Sequence, residues 1–185
     1  MPENIDYSFL SELEGGSKTT GYVPAASVSK SGVTIATGFD LGQRSESDLE
    51  SLKLDPLLIV KLQPYLGAKG ASAQALLRKT QLVINLNEAR AIDKAVKLAH
   101  VAQLKLKYDI VGGNKKKFVD LPPQAQTVII SVSFQYGVGL SVRAPKFWKA
   151  VTSQDWVETI KLLKAFGDVY PTRRKKEAAL LEKIK

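Results

Sequence analysis

Cysteine is absent from the 185-residue chain, and histidine occurs once, as His100. The first absence removes disulfides, a thiol nucleophile and thiolate metal sites. The second removes any multi-histidine metal centre. No metal and no cofactor is expected, so carboxylates and hydroxyls must carry the chemistry. Apolar runs are short. A run such as Thr127 to Val132 has helix-core length, far below the about 20 residues of a membrane span. No stable membrane insertion is expected. The opening MPENIDYSFLSELEGG is acidic and amphipathic, without the basic and then apolar pattern of a secretory signal. That predicts synthesis in the cytoplasm and, if the protein acts outside it, another device to carry it there. Acidic residues are outnumbered, 18 against 27 basic ones, for a net charge of +9. Such a balance draws a protein to polyanions: nucleic acid, a membrane surface or an acidic cell-wall polymer. There is no helix-turn-helix recognition pattern and no interleaving of basic with aromatic residues, so nucleic acid is not the expected partner.

What is present is enough for a core, with 44% hydrophobic and 24% charged residues. The length suits one globular domain, 1–185, and no repeat, low-complexity tract or linker interrupts it. Ile5, Phe9, Leu10 and Leu13 have helical spacing behind Asn4 or Asp6 as N-cap, and Gly15-Gly16 stops the helix with Glu14 in its last turn. From Ser17 to Gly42 the composition turns to Thr, Ser, Gly, Val and Tyr. Short β-type runs at Gly21–Val23 and Val33–Thr37, with a turn around Ser29-Lys30-Ser31-Gly32, predict an antiparallel hairpin or meander.

The remainder reads as helix. Ser47 to Glu50 has capping-box spacing, and Asp55-Pro56 has the form of a cap followed by proline. A short helix is expected over 70–79, and a long one from Leu86 to Tyr108, opened by Asn85 with Glu88 three residues on and closed before Gly112-Gly113. The helix after Asp120-Leu-Pro-Pro is apolar almost all round and should be central. Two helices follow at about 145–166 and a basic one after Pro171. The fold class is α+β, mostly helical. A small lobe over about 1–55 holds the first helix and the β-meander, and a helical lobe covers about 56–185.

Two carboxylates draw notice. Glu14, at a helix C-terminus before Gly-Gly, lies at the negative end of the macrodipole, which favours its protonated form. Apolar surroundings would act in the same direction. A general acid needs this property if it is to protonate a leaving alcohol. Asp40 follows a strand between Gly38 and Gly42, six residues after Thr34. A carboxylate and a hydroxyl near one strand end can hold a water for attack, and the pair is the minimal equipment of a glycosidase. Each residue also has a plain structural explanation, as a solvated helix end and a turn. Glu12 is a weaker acid candidate on the polar face, and Asp6 is best explained as a cap.

At these residues the sequence resembles the phage-type lysozymes, in particular the muramidase domain of pesticin-like bacteriocins and related toxins and endolysins. Leu13-Glu14-Gly15-Gly16 resembles the family's catalytic helix end. Gly32-Val33-Thr34-Ile35-Ala36-Thr37-Gly38 resembles its hairpin strand, with alanine at 36 where many relatives have glycine. Ser133-Phe134-Gln135-Tyr136-Gly137 resembles the central-helix segment, and Tyr170-Pro171-Thr172-Arg173-Arg174 the opening of the last helix. The matches run in order over nearly the whole chain. No aspartate lies between Glu14 and Asp40, where many phage lysozymes carry one before the threonine. The pesticin-type branch is therefore the better match.

The resemblance implies a lysozyme-like fold with two lobes around a cleft. It also implies hydrolysis of the β-1,4 bond between N-acetylmuramic acid and N-acetylglucosamine in peptidoglycan. Glu14 would be the acid, Asp40 and Thr34 would direct the water, and Gln135 and Gly38 would contact substrate. Asp40 is either the base or a residue that orients a loop. A lytic transglycosylase, or a non-catalytic wall-binding module on the same fold, are the alternatives. The expected partner is peptidoglycan in the periplasm or cell wall, reached by a holin, by toxin import or by a secretion system. The start of the chain, almost at its catalytic helix, fits an excised toxin domain as well as an endolysin. A toxin would bring an immunity protein that blocks it. A monomer is expected. Lys115-Lys116-Lys117 and the tail from Arg173 to Lys185 are candidate wall-binding patches, though the tail equally reads as a solvated helix face. Trp148 and Trp156 read as core, and His100 as a packed or surface residue.

Overall fold

The structure, a computed structural model, describes residues 3–24, 31–111 and 116–184. The expected turn residues Ser29 and Lys30, the stop at Gly112-Gly113, and Lys115 lie outside them. The chain divides into two compact units, Glu14–Ala99 and Met1–Leu13 with His100–Lys185.

In the first unit, β1 (Lys18–Tyr22), β2 (Thr34–Ala36) and β3 (Phe39–Asp40) form an antiparallel sheet in that order. The register pairs Thr34 with Asp40 and Ile35 with Phe39. Backbone bonds from Gly21 to Leu82 and from Ile84 to Thr19 tie a further segment to β1. Three helices follow, α2 (Glu46–Ser51), α3 (Pro56–Leu62) and α4 (Gly70–Lys79). Asp55 caps α3 ahead of Pro56, as expected. The box on α2 uses Ser45 and Asp48 rather than Ser47 and Glu50. Two boxes overlap in the sequence, and the one formed places the fully buried Leu49 in the helix's first turns.

The division falls elsewhere than the expected boundary near residue 55. Leu58, Leu62, Tyr65, Ala73, Leu82, Ile84, Ala89 and Ile92 share one core with Val33, Ile35, Phe39 and Leu41 of the sheet. Burial of each large aliphatic side chain contributes about 1.5–3 kcal/mol, so these helices belong with the strands they cover.

The long α5 (Leu86–Asp109) supplies residues to both units. Its start is the reciprocal box expected at Asn85, with Glu88 N–H donating to Asn85 and Asn85 N–H to Glu88.

The second unit begins with α1 (Tyr7–Glu12), capped by Asp6. It is completed by α6 (Pro123–Tyr136), α7 (Leu140–Arg143), α8 (Pro145–Thr152), α9 (Trp156–Lys164) and α10 (Pro171–Leu181). α7 is an addition to the expected set. As anticipated, α6 is central: every residue from Ala125 to Ser133 is buried. Trp148 is buried among Tyr108, Phe147 and Val151, and Trp156 packs against the same cluster. Among the described residues, no helix is long and apolar enough to cross a membrane.

Candidate active site

Glu14 is not in the last turn of α1. The helix ends at Glu12 with Leu13 as its C-cap, and Glu14 lies in the irregular stretch before β1. Its nearest charged neighbour is a cation. Lys97 of α5 places Nζ 2.6 Å from Glu14 Oε2, and the two side chains are only 15% and 21% exposed, Glu14 first. The stretch that carries Glu14 has little support of its own, because Gly15 and Gly16 have open space where a side chain would lie. Lys97 is what holds the carboxylate.

Thr34 and Asp40 meet across β2 and β3 as register partners. Thr34 is buried and donates its hydroxyl to Gly32 O at 3.2 Å, which leaves its oxygen free to accept. Asp40 Oδ1 accepts from Gly32 N and Gly42 N, both at 2.9 Å. Both glycines are required by a close backbone approach. A Cβ on Gly32 would lie 2.3 Å from Gly42 Cα and 2.6 Å from Ala68 O. One carboxylate oxygen of Asp40 is therefore a staple for the hairpin. Oδ2 has no hydrogen bond among the described residues and remains available to a ligand or water.

The hairpin turn is held from α5. Asp93 accepts from Thr37 N and from Thr37 Oγ1, each at 2.9 Å. Gly38 completes that turn with φ +85 and is exposed. Ala36 beside it has φ +52, in the left-handed region that favours glycine. A non-glycine residue there costs about 1–2 kcal/mol, which accounts for the glycine expected at this position. Asp93 and Lys97 are four residues apart on one helix. The same helical face thus reaches the Thr34–Asp40 hairpin at one point and Glu14 one turn further on.

Gln135 belongs to the second unit. Its Oε1 accepts from Arg174 Nη2. Arg174 also binds Glu177, and donates through Nε to Asp168 at 2.9 Å. Arg173 Nη1 donates to Leu13 O at 3.1 Å, on the residue before Glu14, and its other nitrogens reach Glu177 and Ser131. Arg174 is 2% exposed and Glu177 fully buried, so this part of the basic tail is neither a solvated face nor a wall-binding patch. Burial acts to raise the Asp168 carboxyl, but bonds from Arg174, Tyr170 N–H and Tyr136 outweigh it and hold it below its ordinary value. His100 donates or accepts at Ser133 Oγ, 2.8 Å away, with its ring against Phe134. Burial lowers it to about 4, which keeps it neutral at physiological pH.

Lys97, Asp93 and Glu177 escaped the sequence reading, and Arg173 and Arg174 entered it only as a helix opening and a basic tail. The only signals of the first three are helical spacings, which are read as ordinary surface pairs on most helices.

A small antiparallel sheet with helices in one unit, and a helical unit around a buried central helix, define a lysozyme-like α+β protein. The chain belongs to the pesticin family: residues 4–157 match the family described as a bacterial toxin homologue of phage lysozyme, C-terminal part. A comparison with curated proteins finds no match. At the family level the activity is that of a peptidoglycan hydrolase of glycosidase type.

Proposed function

We propose that the chain is a muramidase, hydrolysing the β-1,4 bond between N-acetylmuramic acid and N-acetylglucosamine. Glu14 protonates the oxygen of the departing N-acetylglucosamine, and water attacks the anomeric carbon of the muramic acid. Asp40 Oδ2 accepts the proton of that water while Thr34 Oγ1 accepts a second hydrogen bond and fixes its orientation. The observation that carries this reading is the register pairing of Thr34 with Asp40, with an acceptor left on each, in the same compact unit as the shielded Glu14. Gln135 and Gly38 are the proposed sugar contacts.

One observation favours a second reading. Asp40 has a structural task at Oδ1, and in a lytic transglycosylase that would be its whole task, because no water is activated. The products separate the two. Mass spectrometry of fragments released from purified peptidoglycan should show reducing-end muramic acid, and Asp40→Ala should release none. Anhydro-muramic ends would assign a transglycosylase instead.

The basic surface fits an acidic wall polymer, with Lys175 and Lys176 exposed on α10. We place its action on peptidoglycan in the periplasm or cell wall, as a toxin domain, an injected effector or an endolysin. In the toxin case an immunity protein is the expected antagonist.

A further inference from the structure

We propose that Lys97 is a positioning residue for the reaction: it fixes which oxygen of Glu14 carries the transferred proton and stabilises the charge left when that proton departs. The inference rests on the muramidase reading.

The geometry assigns the two oxygens of Glu14 different tasks. Oε2 is held by Lys97 Nζ at 2.6 Å. Oε1 has no partner among the described residues. In the acid form the proton therefore sits on Oε1, and Oε2 is the carbonyl oxygen that faces the ammonium. In the chemical step the Oε1–H bond breaks and the proton goes to the glycosidic oxygen. The electron pair of the broken C–O bond stays on that oxygen, which leaves as the sugar hydroxyl. Glu14 is then a carboxylate facing Lys97. A contact between an ammonium and a neutral acid has become an ion pair between an ammonium and a carboxylate, so Lys97 binds the transition state more tightly than the protonated ground state. The shielding of both side chains from water keeps that difference from being screened away.

Lys97 also has a fixed origin. It is one turn beyond Asp93, whose two oxygens both bind Thr37 in the β2–β3 turn. Residues at this spacing lie about 5–6 Å apart on one helix face. A rigid helix thus sets the Glu14 carboxylate at a constant offset from the hairpin that bears Thr34 and Asp40. Glu14 cannot supply this placement from its own backbone, which runs into Gly15 and Gly16 outside any strand or helix.

The test uses the full chain, soluble peptidoglycan oligomers bearing stem peptides, and the variants Lys97→Met and Lys97→Arg. A shielded charge contact strengthened only in the transition state is worth about ten- to a hundredfold in rate. Lys97→Met should lose that factor in kcat with KM within about twofold of the parent, and Lys97→Arg should recover most of it. A kcat within about threefold of the parent for Lys97→Met would overturn the proposal, as would equal losses in the two variants. If the parent releases no glycan fragments, the muramidase reading falls on its own. The pairing is then read from melting temperatures of Glu14→Gln, Lys97→Met and the double variant. Non-additive shifts support it, and additive shifts overturn it.

Discussion

Glu177 is the most exacting position in the helical unit, and its neutralisation has a calculable cost. It is fully buried on α10 and accepts from Ser131 Oγ at 2.5 Å, from Arg173 Nε at 3.2 Å and from Arg174 Nη1. The group holds two guanidiniums, of Arg173 and Arg174, against two carboxylates, of Glu177 and Asp168, and so is charge-balanced. Glu177→Gln keeps the shape of the side chain but leaves one uncompensated positive charge out of reach of water. Breaking a buried ion pair from one side costs about 3–5 kcal/mol. For a domain of this size each kcal/mol lowers Tm by about 2–4 °C, so the expected fall is about 6–20 °C. Glu177→Ala, which also opens a void, should fall at the upper end. Thermal unfolding followed by circular dichroism at pH 7 measures both. A Tm for Glu177→Gln within about 2 °C of the parent would refute the reasoning, because the two arginines would then have no need of the charge.

Gly32→Ala should unfold the hairpin staple, since the added Cβ would meet backbone atoms of Gly42 at 2.3 and 2.4 Å. A destabilisation of about 1–3 kcal/mol and a loss of glycan cleavage are expected; unchanged denaturation midpoints would contradict the close approach. His100 makes the fold acid-sensitive. Its value falls from an ordinary 6.5 to about 4 on folding, so the unfolded chain binds more protons between those limits. Its contribution is complete above about pH 6.5 and about 3 kcal/mol is lost as pH falls through 4. Urea midpoints of the parent should drop over this range more steeply than those of His100→Gln. Parallel curves would dispose of the assignment.

Local chemistry made much of the fold legible. The Asp6, Asp55-Pro56 and Asn85–Glu88 starts were readable because a cap satisfies backbone groups within a few residues of itself. The all-apolar α6 announced its burial, and Val33 to Thr37 announced a strand. Glu14, Thr34 and Asp40 were legible as residues that could carry chemistry. Their surroundings were not. Thr37 and Asp93 lie 56 residues apart, and Glu14 meets a lysine that nothing in its own segment indicates. Arg173 and Arg174 resembled a solvated basic face because the central helix that covers them, through Ser131 and Gln135, lies about 40 residues earlier in the chain. The end of α1 escaped for a smaller reason: Gly15-Gly16 permits a stop at several residues, and the backbone of Leu13 takes the earlier one.

The central claim is that Glu14 donates the proton in glycan cleavage, and Glu14→Gln tests it most directly. Incubated with purified peptidoglycan, the parent should release fragments ending in reducing muramic acid. The variant should bind the same wall material, melt within a few degrees of the parent and release nothing. Fragments released by Glu14→Gln at a rate near that of the parent would remove Glu14 from the chemistry and contradict the account.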